Sequence, residues 1–455
     1  MTASIVQQLT DRLGELAARP LGHELENKLK LHLFDTLGAL IVGRQLDESR
    51  RLAKATALLS GPSGDPSMRL VQLVAAARAT EIDDIHLAAC VTPSSVVLPV
   101  ALTVARGNAT VTPERFLKAC LIGDETLVRI GLAVNGPASL YRGIWPTYIG
   151  SSLASAATTA ALLDLPAPQF TQALAIASAM AAGANARSDS PSAKWPMAGA
   201  AALNGVLAAL SARQGFLGDV GLLGDRWGKM FGLTLDVAPL VAPPDHPHAL
   251  ALALKCWCGA RQTMAAIAAF KRLLEETALR PENLTAILVE VPGAYLQMID
   301  RPGLPASRQE SFANLRYQFG LAAFAPDALY DIVRQSLRGD ERFTRLAGLV
   351  RIVAAADLDA HYPRYWPARV TITEASGATH RREMLHAPGD AELPLSWRDV
   401  QDKLTRATGR PRAAIEHIAN VCQAMGTADG LQESWRDFWR VVETDIFVPA
   451  ETAAN

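Results

Sequence analysis

The sequence predicts a mainly α-helical protein: a large all-helical domain built from both chain ends, with a smaller α+β domain inserted late. Three observations predict it. Residues 143–163 and 165–186 are two long stretches without a charged side chain, rich in Ala, Ser, Thr and Gly. A helix that is apolar or small on every side has no face for water, so both belong in a core. The chain reads as helix after helix to about residue 270, and β-rich runs cluster only afterwards. Helical patterning then returns from Pro411. The domains expected are 1–270 and 409–455 (helical) and 271–408 (α+β).

The elements follow in order. Glu24 to Val42 is a helix closed by Gly43, and Asp47 to Leu59 is another. Ser94 to Arg106 starts after Thr92-Pro93. Thr112-Pro113-Glu114 opens the next helix, with Thr as N-cap and Pro at the first helical position. It runs to about Leu132, with a break expected near Gly123. The charge-free stretches form a central hairpin of close-packed helices, with Pro166 and Pro168 marking its turn and the start of its second arm. A polar loop at 187–193 leads to Lys194, ahead of a small-residue helix from Gly199 to Leu210. Arg261 to Ala278 closes the helical block. Thr285–Val291, Ala368–Thr373 and Thr379–Leu385 read as strands, the last two as a hairpin around Ala375-Ser-Gly-Ala378. Helices at Asn314–Phe324 and Asp327–Arg338 lie between.

Composition narrows the function. A net charge of −1 in 455 residues, with no basic run, argues against nucleic acid or an anionic membrane as partner. Pro146 and the low Leu/Ile/Phe density of the charge-free stretches favour buried helices over membrane spans. The first residues are amphipathic with an early acid, unlike a signal peptide. Five irregularly spaced cysteines read as reduced thiols, and a cytoplasmic location is expected. Cys256-Trp-Cys258 lacks metal-knuckle spacing, and no phosphate-binding glycine motif opens a helix.

Three clusters carry candidate chemistry. Glu81-Ile-Asp83-Asp84-Ile-His86 places three carboxylates within four residues; burial there would raise one pKa, as a general acid or base requires. A solvated helix end fits the same pattern. Lys194, in apolar company, suits a base or a carboxylate anchor, or a snorkelling surface ammonium. Lys255 and Arg261, six apart, suit a dianion or an interdomain salt bridge. Only nine of the 44 basic residues are lysines, which makes a lysine in apolar company more notable.

Beyond these clusters, a set of segments runs in order through most of the chain: Asp35-Thr-Leu-Gly-Ala-Leu40, Asp83-Asp84, Thr92-Pro-Ser94, Gly123-Asp-Glu125, Gly143-Ile-Trp-Pro-Thr147, Lys194 to Gly205, Gln214-Gly-Phe-Leu-Gly218, Lys255 and Tyr317. In these the chain resembles the MmgE/PrpD family of 2-methylcitrate dehydratases, cis-aconitate decarboxylases and iminodisuccinate epimerases. The resemblance implies a homodimer, a helical domain from both chain ends with an α+β lid, and no metal or organic cofactor. It also implies chemistry in which a proton moves next to a carboxylate of a small polycarboxylic acid.

Residue by residue, Lys194, Lys255 and Tyr317 match family active-site positions. The acid of the family's Asp-Phe-Asp-Asp-Thr pattern falls on Glu81, and its Thr on Ile85. The histidines of three further family motifs fall on Thr92, Trp145 and Met197. The pocket this implies is poor in imidazole and drier, which would raise the pKa of Glu81 and lower that of Lys194 or Lys255. The expectation is a diverged, cofactor-independent lyase of the dehydratase type that takes the proton next to a carboxylate of a small hydroxy- or polycarboxylic acid, with a substrate less charged than the family's usual ones. Glu81, Lys194, Lys255 and Tyr317 would be catalytic. Asp84, His86, Thr92, Ser94, Trp145, Arg261 and Gln262 would bind substrate, with His86 as a replacement imidazole. Decarboxylation, epimerisation or non-catalytic carboxylate binding are the alternatives.

Overall fold

A computed structural model describes residues 3–60, 65–181, 193–333, 340–426 and 431–447. The chain is mainly helical, with small sheets. Its contacts divide it into two compact units: Met1–Leu252 with Pro411–Asn455, and Ala253–Arg410.

The first unit holds α1 (Ile5–Ala18), α2 (His23–Gly43), α3 (Asp47–Ser60), α4 (Pro66–Ala79), α5 (Ser94–Ala105), α6 (Pro113–Ala133), α7 (Gly136–Tyr141), α8 (Pro146–Leu162), α9 (Ala167–Ala179) and α10 (Lys194–Arg213). Their starts are written in the sequence. Ser4, Asp65 and Thr112 each accept a first-turn backbone N–H, and proline follows Asp65 and Thr112 at once. Helix α8 is buried along its whole length except at Ala161. It packs against α5, α6, α9 and α10, while α10 also packs on α4 and α9. Small residues let these axes approach: a Cβ on Gly205 of α10 would strike the Ser152 carbonyl of α8, and one on Gly199 would strike Val71 of α4. Several hydroxyls in this core donate to carbonyls, though Ser155 Oγ and Thr159 Oγ1 of α8 are buried without a hydrogen-bond partner among the described residues. Ser151 Oγ donates to Thr147 O (2.6 Å), and Ser152 Oγ donates across to Ala177 O of α9 (3.0 Å).

The C-terminal segment belongs to the same unit. Lys30 Nζ donates to Gln423 O (3.2 Å), Arg106 forks onto Glu443 with two 2.8 Å bonds, and Arg69 donates to Phe447 O (2.7 Å).

The second unit is a helix, Arg261–Thr277, on a four-stranded sheet: β1 (Leu284–Val291), β2 (Val350–Ala354), β3 (Ala368–Glu374) and β4 (Thr379–Met384), in the order β2-β1-β3-β4. β1 runs parallel to β2 (Ile287 opposite Val350) and antiparallel to β3 (Val289 opposite Val370), and β4 pairs antiparallel with β3. Ile287, Val289 and Val291 point inward at alternate positions, the period-2 pattern of a half-buried strand.

Several expectations need correction. Helix Arg261–Thr277 packs on β3, β4 and helix Leu315–Phe324, so the boundary falls at 252/253 rather than 270/271. Helix α6 runs unbroken through Gly123, whose missing Cβ makes room for Thr158 and Val97. Helix α9 ends at Ala179, and the charge-free residues 182–186 and loop residues 187–192 lie outside the described residues. In place of a helix from Asp327 there is a single 3-10 turn, Pro326–Leu329; residues 334–338 are outside the description. Helix α4, helix Glu341–Leu349 and strand β2 were not anticipated.

Candidate active site

Helix α4 ends at Ala79 with Thr80 as its C-cap, and Glu81 then takes a left-handed backbone conformation, φ 56°. For an L-residue that geometry costs roughly 1–2 kcal/mol and is held only by its surroundings. Those surroundings are the next residues of the turn. Asp83 is ion-paired with Arg78, and both are buried. Asp84 accepts from His32 Nδ1 (2.9 Å), from Ser94 N (3.1 Å) and from Ser94 Oγ. Burial pushes the Asp84 carboxyl up, but the His32 and Ser94 bonds outweigh it and hold the carboxyl below its ordinary range.

The turn delivers Glu81 to Lys194, the first residue of α10. Glu81 Oε1 stands 3.6 Å from Lys194 Nζ, with side chains 12% and 17% exposed. The ammonium also lies over two indoles, 3.9 Å from the Trp195 ring centroid and 4.9 Å from that of Trp145. Trp145 precedes α8 and stacks on Tyr148 (5.6 Å, 13°). A carboxylate and two ring faces thus surround this ammonium, all of them groups that attract a cation.

The other candidates in this unit are occupied by the fold. Thr92 N donates to Thr147 Oγ1 (3.2 Å), and the two hydroxyls lie 3.3 Å apart. Ser94 serves Asp84. His86 Nδ1 accepts from Ala89 N (3.1 Å), and its ring meets His248 edge-on at 5.6 Å. Burial first, then the neighbouring His248, lowers the His86 pKa to about 3, so it is a neutral acceptor, unsuited to serve as a base near neutrality. Sequence reasoning missed Asp124, fully buried in α6; burial, then Asp84 and Glu125, pushes its carboxyl well above the usual range. The Gly123-Asp-Glu125 motif was its only signal. It also missed Arg78, three residues before Glu81 and within 6.0 Å of the Trp195 ring, and Trp195 itself.

In the second unit, Lys255 and Tyr317 are buried. The Leu254 N–H donates to Gly389 O (2.9 Å), and Gly389 sits at φ 97° where a Cβ would strike the Leu254 carbonyl. Arg261 opens its helix and is ion-paired with buried Asp390, whose other oxygen accepts from Ala387 N (2.9 Å). That pairing takes up the Arg261 charge within the unit. Gln262 is buried beside it. The Tyr317 ring meets Phe343 edge-on at 5.6 Å, and Asn314 caps its backbone N–H (2.9 Å). Cys256 is a buried free thiol whose pKa burial pushes up to about 12.

With this geometry in place, the comparisons are decisive at one level. Residues 7–236 match the MmgE/PrpD N-terminal domain and residues 257–423 the MmgE/PrpD C-terminal domain. The chain belongs to the MmgE/PrpD family. Among curated relatives, the cis-aconitate decarboxylase-like protein oryM of Aspergillus oryzae is 28% identical over 232 residues, covering 47% of this chain and 48% of that protein. The cis-aconitate decarboxylase of Aspergillus terreus is 26% identical over 246 residues, covering 50% of each. The chain thus spans about half the length of the curated relatives it matches.

Proposed function

We propose that this MmgE/PrpD member is a cofactor-independent lyase of the dehydratase type, acting on a small hydroxycarboxylic acid. The Glu81–Lys194 pair carries the reading. A carboxylate held in a strained turn beside an ammonium can take a proton from the carbon next to a substrate carboxylate, while the ammonium holds that carboxylate and the enediolate-like charge that develops on it. Loss of hydroxide from the neighbouring carbon then gives an alkene. The second reading is decarboxylation, which the names of the relatives favour; Lys194 would then hold the negative charge as carbon dioxide leaves, and a protonated Glu81 would give its proton to the carbon that lost it.

We further propose that the protein works as a homodimer. Supporting this, Met197, Leu207 and Leu210 form an exposed apolar stripe on α10, the helix that Lys194 begins. Exposed large apolar side chains gathered on one helix suit an interaction face.

Product analysis by NMR in deuterated water, with a panel of small hydroxy and unsaturated acids including cis-aconitate, tests the lyase. An alkene signals dehydration, carbon dioxide release signals decarboxylation, and deuterium at an unchanged skeleton signals epimerisation. Turnover is expected to vanish in Lys194→Ala. A Lys194→Ala variant as active as the parent overturns the reading.

A further inference from the structure

We propose that Trp145 is a specificity-determining residue, selecting acids that place a hydrocarbon substituent, rather than a further carboxylate, beside the carboxylate bound by Lys194. The inference rests on the reading of Glu81–Lys194 as the acid's site and names its substrate class.

The argument begins with what surrounds the ammonium. Two indole rings lie within 5 Å of Lys194 Nζ, inside the 6 Å range of cation–π attraction. Both rings are fixed. Trp195 is 1% exposed with the Arg78 guanidinium near its ring. Trp145 is stacked on Tyr148 and packed against the cluster of Leu70, Val74, Val96 and Val100. An aromatic face carries partial negative charge, and the indole has a single N–H donor, at its edge. The walls beside the ammonium therefore attract cations and alkyl groups and repel anions. One substrate carboxylate is served by Lys194. A second one laid against Trp145 would lose its water and gain only the repulsion of the ring face. An alkyl or aryl group in the same place gains buried contact.

The same geometry divides the labour of the pair. An ammonium set between two ring faces and a carboxylate is placed to bind an anion, so Lys194 anchors the substrate carboxylate and Glu81 takes the proton.

The test uses two probes of equal length, pentanoate and glutarate, which differ only in a terminal methyl or carboxylate. Calorimetric titration of the full chain is expected to show pentanoate bound about tenfold more tightly, the scale of discrimination a hydrocarbon-lined pocket gives. Trp145→Phe keeps a ring face and keeps the preference. Trp145→His, which supplies donors, moves the ratio toward or past unity. Lys194→Met abolishes binding of both probes. Equal binding by the parent protein, binding of neither probe, or a ratio unmoved by Trp145→His with Trp145→Phe folded overturns the proposal. If the ratios behave as stated while no acid in the panel is turned over, the lyase reading fails and the specificity inference stands. Turnover with an unmoved ratio gives the reverse.

Discussion

Replacing Glu81 by Gly and, separately, by Ala isolates the strain in the turn that presents it. Both variants remove the carboxylate and leave Lys194 facing two rings. They differ only in a Cβ at φ 56°. At an ordinary position Ala is the more stable of the two, by roughly 0.5–1 kcal/mol, because glycine loses more freedom on folding. In the left-handed region an L-residue carries a penalty of roughly 1–2 kcal/mol that glycine escapes. The difference leaves Glu81→Gly more stable than Glu81→Ala by up to roughly 1.5 kcal/mol, about 0.75 kcal/mol at the middle of both ranges, the reverse of the usual order. Urea denaturation followed by circular dichroism reads this as a higher midpoint for the glycine variant at unchanged slope. A lower midpoint for glycine would show that the turn is not strained, and the case for Glu81 as a residue held in place for chemistry would lose its backbone support.

Three further outcomes are expected. Gly205→Val should destabilise the first unit by about 3 kcal/mol or more, because its Cβ strikes the Ser152 carbonyl across the α8–α10 contact; thermal melting checks it. His86 stays neutral in the fold down to about pH 3 but protonates near its ordinary value when unfolded, so the unfolded state binds more protons between those pH values. Stability is therefore expected to fall as pH drops from about 6.5 toward 3, by up to about 1.4 kcal/mol per pH unit, and His86→Gln should flatten that slope in denaturation curves. Leu207→Asp with Leu210→Asp should convert the proposed dimer to a monomer in light scattering after gel filtration, whereas an unchanged mass would place any dimer contact elsewhere.

The sequence was legible where the physics is local. The charge-free run of α8 declares its burial because it has no face for water. Lys194 stood out for the same reason, as one charge entering small residues. Helix α4 went unseen although Asp65-Pro66 is a plain start signal. Strand β2 is five residues long and pairs in parallel with β1, more than fifty residues earlier in the chain, so neither length nor a hairpin turn announced it. Gly123 was misjudged because a glycine suggests freedom, whereas here the space it leaves is filled by Thr158 and Val97 from other helices. At the site, the carboxylate cluster and the lysine could be named from spacing. Their meeting joins positions 81 and 194, and Trp145 reaches the same ammonium from a distant helix start, whereas Trp195 is simply the next residue in the chain. The neutral state of His86 depends first on its burial and then on His248, neither of which a local pattern announces. Likewise, nothing near Arg261 pointed to Asp390, 129 residues away.

The most direct test is the rate at which Glu81→Gln processes the acid that the parent protein turns over, measured by proton NMR in deuterated water at neutral pH. The amide keeps the shape of the side chain and removes its capacity to take a proton. The rate is expected to fall roughly 100- to 10,000-fold, with the acid still bound through Lys194. A Glu81→Gln variant that works at the parent rate would contradict the account at its centre.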